Sequence, residues 1–149
     1  MSLEKARIYI KQKGQFKNPP LEVMFNPAEY TVKYQNNFNK YVESKSVSQI
    51  FVGQKPPVLS MTLFLDTYET KESVRDHVDR ILELMDAVDD EPTICTFSWG
   101  GFRFDGILIS ANQEYTMFLD SGIPVRATVN AQFIFYEDPA AKKEPFKIR

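Results

Sequence analysis

The sequence has very few of the side chains that build disulfides and structural metal sites. Its 149 residues include one cysteine, Cys95, and one histidine, His77. A disulfide within the chain needs two cysteines, and a structural zinc site needs about four soft ligands, so the composition excludes both. Nothing in the sequence suggests a bound cofactor. The fold must therefore be held together by packing and hydrogen bonds.

Long hydrophobic runs are also missing. No window approaches the roughly 18 apolar residues of a transmembrane helix. The first residues carry charges, at Glu4, Lys5 and Arg7, where a secretory signal has its apolar stretch. We therefore expect a chain that is neither exported nor inserted in a membrane, and that assembles in the cytoplasm.

Neither sign of charge dominates, because 18 Lys and Arg residues face 20 Asp and Glu residues. The stretch from Trp99 to Gly106 has the aromatic residues and the arginine of an RNA-stacking strand, but the net charge of −2 disfavours phosphate binding. We expect no nucleic-acid partner, and a single-strand nucleic-acid-binding β-barrel is kept only as an alternative.

The charges are distributed unevenly. Residues 71–91 hold eight acidic and three basic side chains, whereas residues 1–17 hold five basic side chains and one acidic side chain. Two interpretations remain open: an acidic helix that meets the basic ends of neighbouring subunits, or a solvated helix face with screened charges.

Aromatic residues are abundant, at 13% of the chain, which favours a sheet-rich fold. Apolar alternation predicts strands at residues 6–12, 21–25, 58–66, 94–99, 102–110, 115–119 and 124–136. Gly100-Gly101 and Asp120-Ser121-Gly122 are predicted turns. Residues 14–20 are predicted to form a loop because of Pro19-Pro20. Residues 31–52 fit either a strand or a long loop that becomes ordered against a partner.

One amphipathic helix is predicted after the strand at residues 58–66. It would start at Thr70 as N-cap and carry apolar residues at 3–4 spacing as far as Val88. Pro92 and the acidic residues before it would end the helix. His77 beside the apolar stripe fits an ordinary surface histidine better than a catalytic base. Cys95 alternates with Phe97 and Trp99, which is typical of a sheet residue rather than a reactive thiol.

Three segments together resemble the tube-type proteins of contractile injection systems, which are phage-tail-like particles. They are residues 23–30 (VMFNPAEY), residues 97–100 (FSWG) with the following strand, and residues 115–127 (YTMFLDSGIPVRA). The similarity is closest to the tube-initiator or baseplate-hub adaptor branch, which lies between the central spike and the inner tube. Members of that branch often continue into a LysM-type domain; we expect this chain to be either a short version without one or a subunit nearer the plain tube protein.

The resemblance implies a mainly β fold, an antiparallel β-barrel or sandwich of the tail-tube type with one flanking helix. Residues 1–139 would form this domain and residues 140–149 a basic flexible tail. The function implied is structural and not enzymatic: a hexameric ring that joins the spike and baseplate hub to the inner tube and initiates tube assembly. The partners would be further copies of the chain, the spike protein, and neighbouring tube and baseplate proteins, without direct membrane binding. A stacked inner-tube subunit is the alternative.

The resemblance also implies roles for individual residues. Candidates for assembly or turn formation are Phe25, Asn26, Pro27, Tyr30, Trp99, Gly100, Gly122, Pro124 and Arg126. Candidates for the wall of a channel are Ser60, Thr62, Thr128, Asn130 and Gln132. Arg126 is expected to pair across a subunit boundary or with Asp120.

Overall fold

A computed structural model describes residues 3–43 and 46–137, with the side chains of residues 39–50 left out of that description. The predicted tail, residues 140–149, lies outside the described residues. A 3₁₀ turn, Glu83–Met85, follows the only α-helix of the described ranges. In chain order the elements are β1 (Arg7–Gln12), β2 (Gln15–Glu22), β3 (Tyr30–Glu43), β4 (Ser46–Asp66), α1 (Arg75–Leu82), β5 (Ala87–Val88), β6 (Glu91–Pro92), β7 (Ile94–Trp99), β8 (Phe102–Phe118) and β9 (Pro124–Phe135).

Seven of these strands form one antiparallel sheet in the order β2-β1-β7-β8-β9-β4-β3. The mainly β class with one flanking helix is confirmed. Within the described residues, β2 and β3 are edge strands, so hydrogen bonds do not close the sheet into a barrel. The sheet curls instead, since the ring of Tyr30 on β3 stacks 4.6 Å from that of Phe102 on β8.

The predicted alternation of β4 and β9 defines the core. The side chains that point inward from these two strands are all at most 5% exposed: Leu59, Met61, Leu63, Leu65, Ala127, Val129, Ala131 and Phe133. Helix α1 contributes Val78 and Ile81 to the same core. Each strand therefore has one dry face, and its alternate residues point away from the core.

The loop predicted for residues 14–20 is wrong, because residues 15–20 lie in β2 and only Gly14 belongs to the turn before it. Strand β2 pairs with β1 from the pair Gln12 and Gln15 to the pair Arg7 and Glu22. Proline lacks the N–H that a central strand must donate, but β2 lies at the edge of the sheet, where one side of the strand needs no partner. At this edge position, Pro19 and Pro20 are compatible with a strand, although in the sequence they indicate a loop.

Residues 31–52 form most of a long hairpin instead of a loop. Strands β3 and β4 pair from Tyr30 and Met61 to Glu43 and Ser46. The register shifts near Gln35 and again near Phe38. These irregularities and the exposure of residues 33–36 explain why the sequence shows no clear two-residue period there.

The helix is shorter than predicted at both ends. Lys71 has a φ of +61°, which ends any helix starting at Thr70, and α1 begins only after Val74. The Val74 N–H donates instead to the Pro124 carbonyl at 2.9 Å. After the 3₁₀ turn, Val88 lies in the small β5–β6 hairpin and not in the helix.

Turn predictions are confirmed where glycine takes positive φ. Gly100 and Gly101, at +56° and +83°, join β7 to β8 in a tight hairpin. The two strands predicted at 102–110 and 115–119 are one continuous strand, β8, which bends at register shifts against β9.

Candidate assembly surface

The outward faces of β4 and β9 carry a strip of small uncharged polar side chains. The register places Ser60 opposite Gln132 and Thr62 opposite Asn130. The Thr62 hydroxyl donates a 2.6 Å hydrogen bond to Oδ1 of Asn130. Thr128 continues the strip on β9. We call these residues the polar strip; all five predicted channel residues lie on this one face.

The polar strip ends in an aromatic cluster. Phe64, opposite Thr128 on β4, lies 5.3 Å from Phe25 between ring centroids. The guanidinium of Arg126 lies 5.9 Å from the centre of the Phe64 ring. Both rings are more than a third exposed, so this cluster is apolar surface beside a polar wall. The sequence motifs contain Phe25 and Arg126 but not Phe64, which joins them.

A groove of about 660 Å³ lies over the polar strip and this cluster. Its floor is the strip itself, and one wall is the segment from Phe25 to Thr31. The first motif segment, residues 23–30, therefore borders the polar strip. This arrangement makes the strip and its rim one continuous outward surface.

Arg126 pairs within the subunit. Its Nε and Nη2 donate to Oδ2 of Asp66, the residue opposite on β4, at 3.1 and 3.0 Å. The predicted pairing with Asp120 is replaced by this cross-strand pair. The pKa of Asp66 lies below its ordinary value, chiefly because the Tyr68 N–H donates to the carboxylate at 2.8 Å, with Arg126 acting in the same direction and burial opposing both.

Asn26 connects the segment between β2 and β3 to the residues that precede β1. Its Oδ1 accepts from the buried Ala6 N–H at 2.9 Å, and its Nδ2 donates to the Glu4 carbonyl at 3.0 Å. Pro27 next to it is buried. The side-chain amide makes both hydrogen bonds because it offers an acceptor and a donor together.

Tyr30 and Trp99 close the same corner of the molecule. The Trp99 indole N–H donates to the Glu4 carbonyl at 3.1 Å. The ring of Tyr30 lies 6.2 Å from that of Trp99 and contacts Phe97 as well. The motif aromatic residues thus pack the curled sheet together, and Gly100 follows in the β7–β8 turn.

The last motif segment forms the turn that supports the helix. Gly122 has a φ of +88°, and its N–H donates to the Leu119 carbonyl at 2.8 Å. Pro124 is buried, and its carbonyl accepts from Val74 at the start of α1. This segment therefore sets the position of the helix as well as the entry to β9.

A comparison of the sequence with protein-family profiles identifies the family of this chain. The profile for contractile injection system tube proteins matches residues 2–144, nearly the whole chain. The chain belongs to the contractile injection system tube protein family. All three motif segments of this tube-family chain lie inside the matched region. Comparison with curated proteins gives no match.

Cys95 and His77, the two side chains of this tube-family chain considered above for chemistry, differ in their burial. Cys95 is 1% exposed, and burial raises the pKa of its thiol to about 12. His77 is half-buried on α1. In the described ranges, no three His, Cys, Asp or Glu side chains come together as a metal site would need.

The RNA-like stretch of the tube-family chain is turned inward. Phe102 and Phe104 are buried in the core, 8% and 1% exposed, so their rings have no face for a base. Asp105 accepts bonds from Thr96 and Arg103, which engages the arginine of the stretch. Among the helices of the described residues, none has the length and apolarity needed to cross a bilayer.

Proposed function

We propose that this chain is a non-catalytic structural subunit that forms a hexameric ring between the spike and baseplate hub and the inner tube, and that it initiates tube assembly. It assembles in the cytoplasm, needs no cofactor, and has as partners other copies of itself, the spike protein, and neighbouring tube and baseplate proteins. Family membership and the three motif segments support this assignment.

The polar strip carries the proposal. A channel through which proteins pass needs a wall without charge or adhesive apolar groups, and Ser60, Thr62, Thr128, Asn130 and Gln132 provide one on a single face. The strip contains no charged residue. We assign it to the lumen of the ring, with the Phe25–Phe64 cluster at the rim.

The edges of the sheet favour assembly. Strand β3 has an edge of 14 residues without proline, and no other described strand pairs with its outer side. A long open edge of this kind is a site for strand pairing with another chain. In a ring, β3 of each copy would pair with a strand of its neighbour.

A stacked inner-tube subunit is the second candidate. The family description, tube protein, favours it. Such a subunit polymerises on its own, whereas an initiator stops at one ring or requires the spike to begin.

The test is the mass of the purified chain in solution over a concentration series, measured by light scattering after size separation. Images of the largest species complete the test. Single rings support the initiator, tubes support the stacked subunit, and a monomer at every concentration contradicts self-assembly.

Two variants test the assembly residues of this proposal. Gly122→Val strains a turn at φ +88°, and Arg126→Ala removes the cation beside Phe64 and Asp66. Both are expected to reduce ring formation. Arg103→Ala is the control, because Arg103 is likewise an arginine paired with an aspartate and is more exposed than Arg126. Unchanged rings in both test variants would show that the assembly roles assigned to Gly122 and Arg126 are wrong.

A further inference from the structure

The two edges of the sheet differ in composition. Strand β3, at one edge, has 14 residues and contains no proline. Strand β2, at the other edge, has 8 residues, and two of them are Pro19 and Pro20. An open edge can be extended by pairing with another chain, and proline is one of the residues that prevent such pairing. The two edges are therefore unequal as sites for a further strand.

Strand β2 has the features of an edge at risk of unwanted pairing. Its residues 15–19 are all exposed. The side chain of Phe16 is 58% exposed, and the Lys11 ammonium lies 5.5 Å from the centre of its ring. An exposed edge strand with an apolar side chain is a template on which another chain can pair, unless something blocks it.

The prolines lie in an irregular part of β2. Ile8 pairs with Leu21 and Ile10 pairs with Lys17, so Tyr9 lies opposite the three residues 18–20. We call residues 18–20 the proline bulge. A bulge interrupts the regular spacing of the N–H and C=O groups that a second strand would have to match.

Pro20 also removes a hydrogen-bond donor from the open side of β2. The N–H of Val23, directly after the strand, donates to the Ala6 carbonyl at 3.2 Å and therefore points toward the start of β1. Successive N–H groups of a strand point to opposite sides, so those of positions 22 and 20 belong to the open side. Proline has no N–H, and the open side consequently lacks a donor at position 20.

Charged side chains lie on both sides of the proline bulge. Lys17 precedes it, Glu22 follows it, and both are exposed. Glu22 pairs with Arg7 of β1 at 3.3 Å, which holds its carboxylate within the same subunit. Charged residues on an edge strand oppose pairing, so they act in the same direction as the prolines.

We propose that the proline bulge closes the β2 edge to strand pairing, so that copies of this chain do not join edge to edge through β2. With β2 open, β3 of one copy could pair with β2 of the next. Such a head-to-tail contact continues as an open filament wherever the rotation between copies does not close a ring. The inference goes beyond the proposed function, because it names an association that the chain avoids.

Substitution of Pro20 tests the proposal. Pro20→Thr restores an N–H and introduces a residue that favours strands. Pro20→Lys restores the same N–H but adds a charge that opposes pairing. Pro56→Thr is the matched control, because Pro56 is an exposed proline at a register shift of β4, which is not an edge strand.

Thioflavin T fluorescence over a concentration series measures the concentration at which an extended β-sheet forms. Pro20→Thr should lower this concentration about tenfold, as expected for one added backbone hydrogen bond at each contact. Pro20→Lys and Pro56→Thr should stay within about threefold of the unmodified chain.

The outcomes decide between strand pairing and a general loss of stability. A decrease confined to Pro20→Thr supports the closed edge. If Pro20→Thr changes nothing, the proposal is wrong because Pro20 does not protect the edge. If Pro20→Lys or Pro56→Thr lowers the concentration as much as Pro20→Thr does, the proposal is also wrong, because loss of a proline then acts through the stability of the fold.

This test is separate from that of the proposed function. If the unmodified chain is monomeric at every concentration, the self-assembling ring fails, whereas the comparison of the three variants still decides whether β2 is closed.

Discussion

Replacing Asn26 by alanine should destabilise the fold far more than an ordinary substitution in an irregular segment. Asn26 lies between β2 and β3, yet its amide makes two hydrogen bonds to the backbone at the start of the chain. One partner, the N–H of Ala6, belongs to a residue with 0% exposure. Water cannot easily replace the lost acceptor, so the variant leaves a buried donor unsatisfied.

The magnitude follows from the two bonds. An unsatisfied buried donor costs about 1–3 kcal/mol, and the second bond, to the carbonyl of exposed Glu4, adds about 0.5–1.5 kcal/mol. The total is about 1.5–4.5 kcal/mol. Asn26→Asp keeps the acceptor for Ala6 but turns a carboxylate oxygen toward the Glu4 carbonyl, so it should restore only part of the stability lost in Asn26→Ala.

Urea unfolding followed by circular dichroism measures the difference. With a slope of about 2 kcal/mol per molar urea, Asn26→Ala should lower the midpoint by about 1–2 M. Asn130→Ala is the matched control, because Asn130 is exposed and makes one side-chain bond, to Thr62. If the midpoint of Asn26→Ala falls no further than that of the control, the structural role of the Asn26 amide is refuted.

Three further predictions concern the sheet, the cross-strand ion pair and the thiol. Gly106→Ala places a Cβ 2.5 Å from the Ile134 carbonyl oxygen, which forces β8 and β9 apart. Urea unfolding should therefore show that the free energy of unfolding falls by about 1–3 kcal/mol. A decrease below about 0.5 kcal/mol would contradict this close approach. Because the pKa of Asp66 is lowered on folding, this group stabilises the fold above its ordinary pKa of 3.8, and the stabilisation is lost as the pH falls through the lowered pKa. Asp66→Asn should remove this acid-dependent part of the unfolding free energy. Identical plots of unfolding free energy against pH for the two proteins would count against this role. Cys95, with a pKa of about 12, should react with a thiol reagent at pH 8 only after unfolding, and rapid reaction of the native chain would be inconsistent with its burial.

Alternation makes the central strands predictable. Residues 58–66 and 124–136 alternate because one face of β4 and β9 is buried and the other is polar, and a one-residue slip would invert both. The same two-residue period therefore predicts the polar strip as well as the core.

The edge strands are harder to predict, because their pattern depends on neighbours that the sequence does not display. Pro19-Pro20 argues against a central strand, and only the edge position of β2 makes it acceptable. In the outer part of the β3–β4 hairpin, residues on both faces are exposed, for example Tyr34 and Gln35. Apolar and polar residues therefore do not alternate regularly there. Local propensity cannot distinguish such a ribbon from a loop.

Tertiary contacts set the limits of the helix and complete the candidate surface. The pattern of apolar residues predicts a helix from Thr70. The helix begins later in the structure, because the Val74 N–H forms a hydrogen bond with the Pro124 carbonyl. Phe64 and Asp66 have no role that the sequence alone predicts, because they stand on a strand remote from Arg126 along the chain, and only the β4–β9 register brings them together.

The central claim is that copies of this chain form a hexameric ring whose channel is lined by the polar strip. A three-dimensional reconstruction of the assembled particle by electron microscopy tests it most directly. The account predicts a ring in which Ser60, Thr62, Thr128, Asn130 and Gln132 face the channel. A ring with this strip on its outer wall, or particles without a ring, would contradict it.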